Sequence, residues 1–147
     1  MTLRLALLAT ALAATTTLGE PASAQQAPET VRAGVCHAID GDTLRCGSVK
    51  IRLLGIDAAE LPGHCDRRRQ CAPGNPYEQW DALKRHTAGP ITIYPIKPDR
   101  YNRMVAQITD AAGNDLSCAM ISAGVTYAPR YDDGQRIART CPDLARR

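Results

Sequence analysis

The chain contains no phenylalanine, one tryptophan and five tyrosines, so any core must be built almost entirely from aliphatic side chains. It has no C-x2-C pair, which removes the commonest zinc-site spacing. No apolar run reaches the ~20 residues that a membrane-spanning helix needs. There is no internal repeat and no long low-complexity tract. A net charge of +3 permits a polyanionic partner without establishing one.

What is present begins with an export signal. Met1 to Arg4 carries one positive charge, Leu5 to Leu18 is apolar or small, and Pro21-Ala22-Ser23-Ala24 offers a small-residue exit. That order predicts a signal peptide over 1–24, cleaved after Ala24, and hence a periplasmic or secreted protein. Removing it deletes one Arg and one Glu, so the charge stays +3. Residues 25–30 form a polar lead-in, and 31–147 is long enough for one domain but not two. All six cysteines follow the cleavage site, and an even number in an exported domain predicts disulfides. Six cysteines allow 15 pairings. Local geometry favours Cys36 with Cys46 across a hairpin, Cys65 with Cys71 inside one loop, and Cys118 with Cys141 pinning the tail. This pairing leaves no free thiol for a Cys/His nucleophile.

The periodicity predicts mainly strands. Val31 to Cys46 reads as a hairpin turned at Asp40-Gly41. Val49 to Leu54 is a third strand, with Lys50, Arg52 and Leu54 on one face and Val49, Ile51 and Leu53 on the other. Leu61 to Gly74 is a loop. Asn75-Pro76-Tyr77-Glu78 starts a helix in capping-box order, with Trp80, Leu83 and Thr87 as its inward stripe and Trp80 in the core. Ile91 to Ile96 reads as a strand ending at a sheet edge because of Pro95, and Arg103 to Thr109 as another. Asp115 caps a short helix, Val125 to Tyr127 is a last strand, and the tail beyond Tyr131 has no helical stripe. This order fits an α+β, mainly β fold: a five-stranded antiparallel OB-type barrel with two or three helices.

Two acidic groups sit where strands end: Asp40-Gly41-Asp42-Thr43 and Asp57-Ala58-Ala59-Glu60. Each alone is an ordinary turn or helix cap. Together they bring three carboxylates to one end of a barrel, where mutual repulsion asks for a cation, and oxygen ligands suit Ca²⁺ better than Zn²⁺. Arg52 and Arg103 beside them outline a phosphodiester site, with a metal on one phosphoryl oxygen and guanidiniums on the others.

The segments AIDGDTLR (38–45), IRLLGIDAAE (51–60), DRYNRMVAQI (99–108) and AMISAGVTYA (119–128) resemble, in order and spacing, the thermonuclease (staphylococcal-nuclease-like) family. The resemblance implies an OB barrel, a Ca²⁺ requirement and hydrolysis of DNA and/or RNA, with unstructured strands as substrate. By position, Asp42, Asp57 and the backbone carbonyl of Ala58 match metal ligands. Arg52 and Arg103 match the phosphate-binding arginines, and Glu60 matches the carboxylate that positions or deprotonates the attacking water. Asp40 matches a support residue. Arg100 and Tyr101 match the pair on the neighbouring phosphate and nucleoside, and Tyr127 and Tyr131 are candidates to stack on bases. The chain departs from the family in having Ala59 where Pro precedes the catalytic Glu, Asn102 where Gly is usual, and no evident long C-terminal helix. His37, His64 and His86 read as surface residues, and Arg67 to Arg69 by default as a solvated basic loop, with a lean toward the substrate as the alternative. A monomer is expected. Two other functions compete: an OB module that binds nucleic acid without cleaving it, and a disulfide-framed interaction protein, which leaves the placed carboxylates and arginines unexplained.

Overall fold

The computed structural model describes residues 31–33, 36–66, 68 and 70–146, the first three by backbone alone. The expected signal peptide and lead-in, together with Arg67 and Arg69, lie outside the described residues. Strand β1 is Val31–Ala33, β2 Cys36–Ala38, β3 Thr43–Cys46, β4 Val49–Leu53 and β5 Ile56–Asp57. Helix α1 (Pro76–His86) precedes β6 (Ile91–Pro98) and β7 (Met104–Thr109), and α2 (Leu116–Ser122) precedes β8 (Thr126–Tyr127). Two 3-10 turns and a short α3 (Arg136–Thr140) follow.

Six strands form one sheet in the order β1-β6-β7-β4-β3-β2, and β5 pairs with β8 separately. The outermost strands, β1 and β2, are joined by only two residues. Three Cα steps reach at most ~11 Å, so the two edges of the sheet are drawn together and it curls into a small barrel-like body. The expectation of a five-stranded, wholly antiparallel barrel is corrected here: β4 and β7 run parallel, with Ile51 aligned to Met104. A parallel pair needs a long crossover, and α1 with β6 supplies it. The single first arm of the expected hairpin is likewise split, its first part pairing with β6 and its second with β3.

The core is aliphatic, as the missing phenylalanines required: Leu44, Ile51, Leu53, Ile56, Leu83, Ile91, Ile93, Ile108, Leu116 and Met120 are buried together. In β4, Ile51 and Leu53 enter it while Lys50 is exposed and Arg52 faces the other way. Val49, by contrast, is exposed and Leu54 buried. Pro95 lies inside β6, but β1 covers only Ile91 to Ile93 of that strand, so β6 is an edge from Tyr94 onward.

Helix α1 starts at the expected place, its first amides bonded to the Asn75 side chain. Its buried residues are Gln79, Ala82 and Leu83; Trp80 is only half-buried. The indole N–H needs an acceptor and finds the Ala38 carbonyl at 2.8 Å, with Lys84 over the ring. The tail, expected to lack a helix, forms α3, whose Ile137 is fully buried against Gly55. Asp132 caps it by accepting from the Ile137 and Ala138 amides. All three favoured disulfides are formed: Cys36–Cys46, Cys65–Cys71 and Cys118–Cys141. Among the described residues no helix is long and apolar enough to cross a membrane.

Candidate active site

The turn Asp40-Gly41-Asp42 leads into β3 and is set by close packing. A Cβ at Gly41 would lie 2.8 Å from the Ala58 Cβ and 3.0 Å from the Gln79 Cβ, so only glycine lets this turn approach β5 and α1. Asp42 thereby sits 4 % exposed, with Oδ2 accepting from the Ala58 amide at 3.0 Å and Oδ1 from the Thr43 hydroxyl at 2.8 Å. From the adjacent strand, Arg52 reaches both carboxylates: Nη1 lies 2.5 Å from Asp42 Oδ1 and Nη2 3.1 Å from Asp57 Oδ1. Nη2 also donates to the Ile56 carbonyl at 2.9 Å. Burial disfavours the charged guanidinium, but the Asp42 carboxylate, by charge and hydrogen bond, and then Asp57 outweigh it and raise the Arg52 pKa.

The cation that the clustered carboxylates required is therefore, within the chain itself, Arg52. Asp40 stands apart from the pair, its Oδ1 accepting from the Asp42 amide at 3.0 Å. Burial first, and the Asp42 charge second, push its carboxyl up to about 6. Among the described residues no three His, Cys, Asp or Glu side chains are grouped to hold a metal. The donor set is thus two buried carboxylates. For a hard cation such as Ca²⁺ they are suitable oxygen ligands, with the remaining positions left to backbone carbonyls, water and substrate oxygens.

A cleft of about 980 Å³ opens over Arg52 and Asp57, lined also by Glu60, Arg100, Tyr101, Arg103 and Tyr131 among others. Glu60 is half-buried at its wall. Arg103 is held from one side by Asp99, which accepts from Nε at 2.8 Å and pairs with Nη2 at 2.7 Å. Its Nη1 lies 3.5 Å from the Thr43 hydroxyl, which links it to Asp42. Burial raises the Asp99 pKa, but the hydrogen bonds from the Arg103 amide, its guanidinium and the Tyr101 amide prevail and lower it. Tyr101 is 63 % exposed, with Arg100 and Arg103 close to its ring at 4.8 and 5.3 Å. Asn102 adopts φ 59, a left-handed conformation that Asn tolerates better than most residues.

The structure thus gathers Asp42, Asp57, Ala58, Arg52, Glu60, Arg103, Arg100, Tyr101 and Tyr131 in one region. Tyr127 is elsewhere engaged, its hydroxyl donating to Asp132 at 2.9 Å. His64, expected at the surface, is exposed and also lines the cleft.

Besides Asp99, two residues were missed. Arg130 donates to Asp57 Oδ2 at 2.9 Å, so each oxygen of Asp57 meets a different arginine. The Tyr131 ring centroid lies 4.8 Å from the Arg52 guanidinium and 4.7 Å from that of Arg130. A cation next to a candidate stacking tyrosine was the available signal. Gln79 is the second. Its Oε1 accepts from the Ala59 amide at 2.7 Å and its Nε2 donates to the Gly124 carbonyl at 3.1 Å. A proline at position 59 would have no N–H to offer, so Gln79 anchors the backbone next to Glu60 in a way the usual Pro could not.

No family model matches the chain. It is similar to a protein of Escherichia coli O157:H7 described as an uncharacterized endonuclease, with 31% identity over 100 residues and 63% of this chain aligned. The chain spans 58% of that relative's length.

Proposed function

We propose that this protein is an exported, Ca²⁺-dependent nuclease of the thermonuclease type, built on an OB-type barrel and cleaving phosphodiester bonds in DNA and/or RNA. The observation that carries this reading is the placement of Arg52 between two buried carboxylates, Asp42 and Asp57, with Arg103 one hydroxyl away and lining the same cleft. The relative's description as an endonuclease supports a nucleic-acid substrate, the curled sheet supports the barrel, and the three disulfides are consistent with an oxidising compartment.

Asp42 and Asp57, with the Ala58 carbonyl, would hold the metal. Bound there, calcium supplies charge for a phosphoryl oxygen and lowers the pKa of the attacking water. Arg52 and Arg103 present planar forks that match phosphate oxygens and neutralise charge growing on them. Asp99 keeps the Arg103 fork aimed before substrate arrives. Glu60 accepts the proton of the water or orients it, and Arg100 with Tyr101 takes the neighbouring nucleotide.

Incubation of the mature protein with single-stranded DNA, with calcium and with a chelator, tests the proposal. Cleavage confined to the calcium arm is expected. Inactivity in both arms, with the strand merely retarded, would leave a binding module instead.

A further inference from the structure

A line of basic side chains leaves the cleft across the outer face of the sheet. In the antiparallel register His37 stands opposite Arg45, and Arg45 opposite Lys50. The parallel register that aligns Ile51 with Met104 sets the preceding residues, Lys50 and Arg103, side by side. Residues directly opposite share a face of the sheet, and this face is the outer one, because the next residues, Leu44 and Ile51, are buried. Strands are ~4.8 Å apart, so the row from Arg103 to His37 runs for about 14 Å over four strands. Lys50 and Arg103 line the cleft, while Arg45 and His37 continue beyond it, exposed.

Like charges directly opposite destabilise a sheet, and among the described residues no carboxylate relieves the Arg45–Lys50 pair. Arg52, Lys84, Lys97, Arg103, Arg130 and Arg146 each face a carboxylate. The side chains of His37, Arg45 and Lys50 form no ion pair or hydrogen bond with another described residue.

We infer that this row is a track for the single-stranded continuation of a polynucleotide, whose phosphates leave the cleft over Lys50 and Arg45 toward His37. The inference rests on the nuclease reading above and adds where the rest of the substrate lies. A row one side chain wide suits one phosphate chain rather than the two of a duplex, and the exposed Tyr101 ring at the cleft offers a surface for an unpaired base.

The experiment measures binding of a fluorescent twelve-nucleotide single strand by anisotropy, in chelator so that nothing is cleaved, across a range of salt. Arg45→Ala/Lys50→Ala is compared with wild type and with Arg139→Ala/Arg146→Ala, which removes the same charge from the exposed tail. Each phosphate contact contributes about 0.7 to the slope of log affinity against log salt. The track variant should therefore lose about 1.4 in slope and bind about 25-fold more weakly at about 0.1 M salt, while the tail variant stays near wild type. A wild-type slope in the track variant, or an equal loss in the tail variant, would overturn the track and leave the nuclease reading standing. Competition by polyglutamate as effective as that by the oligonucleotide would also overturn it, pointing to an acidic peptide. A wild type that neither binds the strand nor cleaves it with calcium sinks the nuclease reading, and the track with it.

Discussion

Gln79→Met is the substitution that tests how Glu60 is held. It keeps the length and roughly the volume of a side chain that is 3 % exposed, so packing changes little. It removes the acceptor of the Ala59 amide and the donor to the Gly124 carbonyl. An unsatisfied buried polar group costs about 1–3 kcal/mol; the Ala59 amide is buried and bears that cost, whereas the exposed Gly124 can offer its carbonyl to water. Domains of this size lose about 4 °C per kcal/mol, so the melting temperature should fall by about 4–12 °C. The functional consequence is separate. Ala59 precedes Glu60, and a displacement of about 1 Å at a catalytic group can cost about 100-fold. With calcium and saturating single-stranded DNA, kcat should therefore fall by at least about tenfold at a temperature where the variant is fully folded. Strand affinity measured in chelator should hold, because Arg52, Arg103 and Tyr101 do not touch Gln79. A variant that melts early yet retains kcat within about twofold would show that Gln79 stabilises the fold without positioning Glu60. A variant with unchanged melting would refute the hydrogen-bond account itself.

Arg52→Ala leaves Asp42 and Asp57 buried without their shared cation, and should cost about 3–5 kcal/mol in chelator by urea unfolding; calcium should then stabilise this variant more than wild type. Arg103→Lys should reduce turnover at least about 100-fold, because a point charge cannot reproduce the fork that Asp99 aligns; activity within about threefold of wild type would remove Arg103 from the phosphate site. Replacing Cys118 and Cys141 by Ser opens a link between residues 23 apart, worth about 3 kcal/mol, and should release α3 first, which amide exchange at Ile137 and Cys141 would reveal. Asp40 should make metal-free stability depend on acidity. Its carboxyl is raised from the ordinary 3.8 to about 6, so the folded state binds the proton more tightly than the unfolded chain. The contribution is complete below about pH 4 and is lost as pH rises through about 6. Asp40→Asn should flatten that part of the chelator stability profile, and an unaltered slope would refute the assignment.

The features legible in the sequence are those whose causes are local. The Asn75-Pro76 start of α1, the alternation of Ile51 with Lys50 and Arg52, the Asp-Gly turn and the disulfides closing 6 and 10 residues each follow from residues close together in sequence. What stayed hidden depended on partners far along the chain. No residue in β4 states that its neighbour will be the parallel β7, since both faces and both directions satisfy its period. Helix α3 has a single fully buried residue, Ile137, and a helix that short forms only when tertiary contacts hold it. Asp132 and the Cys118–Cys141 bridge do so from outside its own sequence. Arg130 finds Asp57 across 73 positions.

Gln79 shows the general form of the difficulty. A glutamine inside a helical stripe reads as a polar interruption, so the aromatic next to it is assigned to the core. Burial cannot be inferred for the glutamine until its obligation is seen, and the obligation lies 20 residues away, at an alanine that resembles a defect. An Ala in place of Pro adds one backbone N–H. Where the surrounding segment is buried, that N–H must be bonded, because leaving it bare would cost as much as the rigidity a proline confers. The missing proline therefore did carry information. It called for a buried acceptor on whichever element packs over Ala59, and α1 offers one polar side chain there.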